Sequence, residues 1–161
     1  MKIRVCCVCL GNICRSPTAE GILLDLVKKS GLSDRVSIDS AGTAGYHLGS
    51  RADARSRAIA SRHGVDLPSR GARFDCEDFD RFDYVLAMDS ENASSLKALA
   101  RDDDERSKIF LFRSFDSDSA AGAEVPDPYY GGDRGFEEVF RICERAAAGF
   151  VAHLQQKLSS P

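Results

Sequence analysis

The sequence predicts an α/β domain in which helices cover both faces of a parallel sheet. Four short runs of strand length, 3–8, 35–40, 82–87 and 108–112, are rich in β-branched and other apolar residues. The segments 17–30, 53–63, 89–100 and 135–158 instead read as helices, three from their apolar or capping residues and 53–63 from its Ala- and Arg-rich composition. Strand and helix alternate along the chain, and right-handed crossovers then leave little besides a doubly covered parallel sheet.

Taken in order, 3–8 is dominated by apolar residues, as a parallel strand covered on both faces should be. Ala19, Ile22, Leu23, Leu26 and Val27 line one side of the first helix, 17–30. Ser16 suits its N-cap, Pro17 its first helical position and Gly31 its stop. After the strand 35–40 comes a loop, 41–51, with three glycines, Tyr46 and His47. The Ala- and Arg-rich helix 53–63 ends at Gly64, and 65–80 has no clear period. Asp89, directly after the strand 82–87, has the character of an N-cap for a helix reaching Ala100. A charged turn, 101–106, precedes the strand 108–112. The segment 113–132, rich in Asp, Ser, Gly and Pro, is long enough that a functional role or disorder is expected. The last helix, 135–158, has the clearest periodicity, through Phe136, Val139, Phe140, Cys143, Ala147, Phe150, Val151, Leu154 and Leu158.

A chain of 161 residues, 43% hydrophobic and 29% charged, fits one soluble domain with a real core. Its net charge of −3 and the lack of a long Lys/Arg run argue against nucleic-acid and membrane-surface partners, though a local cationic pocket stays compatible. No apolar stretch approaches about 20 residues and the N-terminus has no signal-peptide pattern, so a cytoplasmic location is expected. Four of the six cysteines (Cys6, Cys7, Cys9, Cys14) crowd into nine residues, with Cys76 and Cys143 apart, which is a poor disulfide framework. Cys6-x-x-Cys9 has metal-like spacing, but no second pair matches it. On a strand, moreover, residues three apart point to opposite faces.

The chemistry concentrates in Cys9-Leu10-Gly11-Asn12-Ile13-Cys14-Arg15-Ser16-Pro17, where strand, tight loop and helix start follow one another. Backbone N–H groups in such a loop converge on one point, and the helix dipole adds positive potential there. Gly11 permits a backbone conformation that a side chain would resist. Arg15 offers a planar fork for two phosphate oxygens, and the same donors stabilise the thiolate of Cys9. A nucleophile therefore shares a site with an oxyanion receptor, so attack of sulfur on phosphorus is the expected reaction. Asn12 has an amide able to satisfy strained loop backbone. Ligands of open α/β sheets bind beyond the carboxyl ends of the strands. The loops with Cys9, Tyr46, Asp89 and Asp127 all follow strands and should meet there.

This motif resembles the signature of low-molecular-weight protein tyrosine phosphatases, and Asp127-Pro128-Tyr129-Tyr130 resembles that family's general-acid loop. The resemblance spans nearly the whole chain. It implies a single domain over 1–161, a four-stranded parallel sheet in the order 2-1-3-4, a phosphate-binding loop at 9–16 and an acid loop at 113–132. It implies Cys9 as nucleophile, Arg15 as phosphate clamp, Asp127 as general acid and Ser16 as hydroxyl donor to the sulfur. Substrate contact falls to Leu10, Gly11, Asn12, Ile13, Cys14, Tyr46, Tyr129 and Tyr130, with Ser40 supporting Asn12. Cys14 is the implied redox partner of Cys9, through a reversible disulfide. Glu20 and Asp39 match acidic positions of the family, where a histidine often joins them; Ser69 or a neighbour stands in its place here. The family needs no metal or cofactor. Its partners are phosphotyrosine proteins and, by extension, a tyrosine kinase, with the protein a monomer or weak dimer. His47, His63, Asp116, Asp118 and Asp133 are expected to be ordinary surface or helix-end residues.

An arsenate reductase on the same fold is the alternative, but it needs further cysteines to relay oxidising equivalents, and only Cys76 stands in a plausible segment. A silent phosphopeptide-binding module would need neither Cys9 nor Asp127.

Overall fold

Strand β1 (Ile3–Cys9) runs through the middle of the sheet in the computed structural model, which describes residues 2–128 and 132–159. It pairs in parallel with β2 (Val36–Gly42) on one side and β3 (Tyr84–Ala87) on the other, and β4 (Ile109–Leu111) lies beyond β3. The order is thus β2-β1-β3-β4, as expected. Because the chain turns to opposite sides of β1, the loop after Cys9 opens at the topological switch point, where such sheets hold ligands.

Side chains alternate across β1 and divide the core in two. Val5, Cys7 and Cys9 join the layer under α1 (Arg15–Lys29) and α5 (Gly132–Ser159), packed with Leu23, Phe140, Phe150 and Leu154. Cys6 and Val8 face the other layer, with Phe74, Phe79, Val85 and Leu96. Cys6 and Cys9 therefore stand on opposite faces, as the strand geometry requires. Helix α5 carries most of its layer: Phe136, Phe140, Phe150 and Leu154 are all buried, and each such side chain is worth about 1.5–3 kcal/mol of burial. Gly149 lets α5 approach the loop beneath it, since a Cβ there would collide with the Phe115 carbonyl.

Helices α2 (Ala54–Arg62) and α3 (Ser90–Leu99) begin as expected, with Asp53 accepting from the Arg55 N–H and Asp89 from the Asn92 N–H. Three features differ. Helix α1 starts at Arg15, so Ser16 is not its cap; Cys14 holds that position without a side-chain cap bond. Pro17 then lies within the first turn, where its missing N–H has no intrahelical partner to lose. The charged turn forms a short helix, α4 (Asp103–Arg106), capped by Asp102, and its buried Glu105 binds Arg101. The unassigned stretch after Val65 is stitched to the 42–51 loop through bridges Gly42–Arg73 and Arg51–Arg70, then makes a 3₁₀ turn at Cys76–Asp80. Such isolated non-local pairing leaves no period in sequence.

Residues 113–128 are held despite their irregular course. A 3₁₀ turn (Phe112–Phe115) starts the segment; the Val125 N–H bonds the Met88 carbonyl at 2.8 Å, and Glu124 accepts from the Ser90 N–H and hydroxyl, each at 2.6 Å. The Glu124 carboxyl is held below its ordinary range by those Ser90 bonds.

Candidate active site

At the carboxyl end of β1 a cleft opens between Cys9, Leu10, Gly11, Ile13, Cys14, Arg15, Tyr46, His47 and Asp127. Cys9 forms its floor. The sulfur accepts from the Asn12 N–H at 3.3 Å and lies 3.0 Å from the Ser16 hydroxyl. Asn12 Nδ2 donates to Ser16 Oγ at 2.8 Å, so the proton of Ser16 is left to point elsewhere, with Cys9 Sγ in reach. Asn12 is the residue that shapes the loop: its φ of 57° is the left-handed conformation that asparagine tolerates. Gly11 does not take up a left-handed backbone; a Cβ there would stand 3.1 Å from the His47 ring, which would have to shift by a few tenths of an ångström.

A polar chain runs inward from the thiol. Asn12 Nδ2 also donates to Ser40 Oγ at 3.0 Å, and Asn12 Oδ1 accepts the Ala72 N–H at 2.9 Å. Ser40 and Ser69 both donate to Glu20 Oε1, at 2.8 and 2.6 Å. Ser40 thus links Asn12 to Glu20, and Ser69 completes the pair of donors to the carboxylate. Burial pushes the Glu20 carboxyl above its usual range, against the Ser69 and Ser40 bonds, with Asp39 adding to the rise. Asp39 itself is not in this chain; half exposed, it accepts from the Ser40 N–H and faces Arg81.

Arg15 is only 3% exposed. Its Nη1 donates to Asp89 Oδ2 at 2.6 Å and to the Val125 carbonyl at 3.1 Å, which fixes the plane of the fork. Burial opposes its charge, but the Asp89 bond and the neighbouring Cys9, Asp89 and Asp127 outweigh it, so its pKa stands above the ordinary arginine value. Nη2 faces Asp127 Oδ2 at 3.8 Å, and that carboxylate is 49% exposed on the cleft wall. A thiol, a fixed cationic fork and a solvent-reached carboxylate thus share one cleft.

Of the expected site residues, Cys9, Leu10, Gly11, Ile13, Cys14, Arg15, Tyr46 and Asp127 line the cleft. Ser16 and Ser40 lie behind it. The Asn12 side chain, whose amide was expected to satisfy the loop, is buried there (2% exposed) and bonded to Ser16, Ser40 and the Ala72 N–H. Tyr129 and Tyr130 lie outside the described residues. Burial pushes the Cys14 thiol up to about 12, with Asp53 and Cys9 adding to it. Two residues were underrated by sequence. His47, expected on the surface, lines the cleft, because its loop folds back over Gly11. Asp89 holds Arg15 as well as capping α3; its place directly after β3 was the available signal. Asp116, expected as plain surface, is buried and faces Arg145 at 3.5 Å.

A thiol under an anion-holding loop, with a guanidinium and a carboxylate beside it, defines a class of site built for phosphoryl transfer to sulfur. Comparison with known proteins narrows the class. The family model described as "Low molecular weight phosphotyrosine protein phosphatase" matches residues 4–160. The Streptomyces coelicolor low molecular weight protein-tyrosine-phosphatase is 42% identical over 98% of this chain and 97% of its own. The human low molecular weight phosphotyrosine protein phosphatase is 39% identical, over 89% and 90%. The crystal structure of a protein tyrosine phosphatase from Entamoeba histolytica superposes with a TM-score of 0.92 at 36% identity, covering 97% of this chain and 99% of that one. The chain belongs to the low-molecular-weight protein tyrosine phosphatase family.

Proposed function

We propose that the protein is a cysteine-dependent phosphatase that hydrolyses phosphotyrosine in proteins, and aryl phosphates, through a cysteinyl-phosphate. The observation that carries this reading is the floor of the cleft: Cys9 Sγ within 3.0 Å of Ser16 Oγ and 3.3 Å of the Asn12 N–H, with Arg15 and Asp127 beside it. The phosphoryl oxygens bind the loop N–H groups and the Arg15 fork. The thiolate attacks phosphorus as the P–O bond to the phenol breaks, and Asp127 gives its proton to the leaving oxygen. The carboxylate so formed then takes a proton from water as that water attacks phosphorus. Phosphate leaves, the thiolate returns and Asp127 is protonated again; Ser16 donates a hydrogen bond to the departing sulfur. Tyr46 packs the aryl ring, with Leu10 adding apolar surface, a role supported by its position on the cleft lining with 76% of its surface exposed.

The substrate is a phosphoprotein, supplied by a tyrosine kinase in the cytoplasm, and the enzyme acts as a monomer or weak dimer in a single domain without metal or cofactor. Among the described residues no helix is long and apolar enough to cross a membrane. Cys14, in the same loop as Cys9, gives a route to reversible oxidation: peroxide converts the Cys9 thiolate to a sulfenic acid, and the Cys14 thiol displaces water to form a disulfide. The arsenate reductase reading is not favoured, because besides Cys9 and Cys14 the thiols of Cys6, Cys7 and Cys143 are buried and Cys76 alone among the described cysteines is part-exposed.

The test is hydrolysis of a phosphotyrosine peptide with EDTA present, with phosphoserine peptide and arsenate as controls. Turnover of phosphotyrosine alone, absent in Cys9→Ser and about 10²–10⁴-fold weaker in Asp127→Ala, is expected. Arsenate reduction with a thiol donor, without phosphotyrosine turnover, would reject the proposal.

A further inference from the structure

Charge is unevenly spread over this chain. Its net charge is −3, yet the stretch from Arg51 to Arg73 carries six arginines against two aspartates. Arg55 is engaged by Asp53 and lies over the Phe136 ring, and Arg62 faces Glu137. Arg51, Arg57, Arg70 and Arg73 have no carboxylate within salt-bridge distance among the described residues. Arg51 and Arg70 are also directly opposed in an antiparallel bridge. Their side chains therefore leave the same face, where like charges destabilise the pairing. Arg57 shares a shallow groove with Arg51, lined also by Leu67, Pro68 and Asp66, whose carboxylate makes no salt bridge with either arginine. Arg57 Nε donates to the Ala52 carbonyl and Arg70 Nη1 to the Gly49 carbonyl, which position two forks and leave most of their donors to other partners.

The cluster adjoins the catalytic loop. The Asp53 N–H bonds the Ile13 carbonyl at 2.7 Å, and Arg51 stands two residues earlier, within about 7 Å along the backbone. Between Arg70 and Arg73, the Ala72 N–H bonds Asn12 Oδ1, and Gly71 pairs with Gly49 and Ser50, just past the Tyr46–His47 wall of the cleft. Uncompensated like charge beside a substrate cleft, at some cost to the pairing that carries it, calls for an anionic partner.

We propose that Arg51, Arg57 and Arg70, with Arg73 at the near edge, form a specificity surface for carboxylate side chains flanking the phosphotyrosine of the substrate polypeptide. This rests on the phosphatase reading above and adds the substrate class to it. Acidic flanks gain affinity and steered association, and basic flanks are repelled.

The experiment uses one phosphotyrosine peptide with Glu, Ala or Lys flanks, and p-nitrophenyl phosphate as a substrate with no flank. Phosphate release gives kcat/KM for the wild type; fluorescence anisotropy gives peptide binding to Cys9→Ser. The Glu-flanked peptide is expected to exceed the Lys-flanked one by about tenfold at low salt in both readouts, a margin that collapses at about 0.5 M salt. The Arg51→Gln/Arg70→Gln double variant should remove most of that margin and leave p-nitrophenyl phosphate turnover unchanged. Arg57→Gln, on the separate element α2, should reduce it independently and carries the test if the double variant does not fold. Equal treatment of the flanks by the wild type would overturn the proposal. So would variants that keep the margin, or that lose p-nitrophenyl phosphate turnover in the same proportion. If the wild type hydrolyses no phosphotyrosine substrate, the phosphatase reading falls, and the anisotropy series still decides whether the arginine surface selects acidic peptides.

Discussion

Asn12 ties four groups together: it donates to Ser16 and Ser40, accepts from Ala72, and its own N–H reaches Cys9. Replacing it with Ala leaves buried groups unpaired and puts a Cβ residue without a compensating side-chain bond at φ 57°. Asn12→Ala is expected to lose about 2–4 kcal/mol of stability by urea unfolding and most of kcat, since the loop no longer holds the thiol. Glu20, at the inner end of the chain, gives a pH signature. Its carboxyl is raised in the folded state, first by burial. The protonated form is therefore the one the fold favours. Its stability contribution is complete below the unfolded value of about 4.3 and is lost as pH rises through the folded value. Glu20→Gln should flatten this part of the stability curve, from about pH 4 upward, read as the difference between the two proteins in chemical denaturation. Parallel curves would show that Glu20 titrates as an exposed residue does.

At the scale of elements, the loop bearing Asp127 is fastened by contacts made just before that residue. Glu124 fastens it to the start of α3 through Ser90, and the Val125 carbonyl accepts from Arg15. Glu124→Ala should lower kcat on a phosphotyrosine peptide by about ten- to a hundredfold with little change in KM, because the acid loses its aim while the phosphate cradle stays intact. A rise in KM with kcat unchanged would place Glu124 in substrate binding instead. On the other side of the loop, Gly149 of α5 packs against the Phe115 carbonyl. Gly149→Ala forces helix and turn apart and is expected to cost about 1–3 kcal/mol by thermal or urea unfolding, despite alanine's better helix propensity.

Over the whole molecule, what could be read from sequence followed from how local each signal is. The loop that opens the cleft lies in one continuous stretch, Cys9–Ser16, and its strand–loop–helix order placed the thiol of Cys9 and the guanidinium of Arg15 together. The sheet and its long helix α5 were legible because burial repeats at a fixed period. Pairings between distant segments were not. Ser69 on Glu20, Ala72 on Asn12 and the Arg51–Arg70 bridge join residues with no periodic relation, so their partners emerge only in the fold. Ser16 was misplaced as a cap because Ser-Pro commonly opens a helix, whereas here the helix begins two residues earlier than Pro17 and Ser16 lies beside the thiol. His47 was missed because nothing in a glycine-rich loop says which way it folds.

In the proposed reaction Cys9 itself carries the phosphoryl group during turnover. The direct measurement is rapid quenching of an aryl phosphate reaction in acid, followed by peptide mass spectrometry, on wild type, Asp127→Ala and Cys9→Ser. Phosphate bound to the Cys9 peptide in wild type, accumulating no further in Cys9→Ser than in an unreacted blank, is the predicted result. Turnover with no phosphorylated Cys9, or phosphate on another residue that persists in Cys9→Ser, would contradict the account.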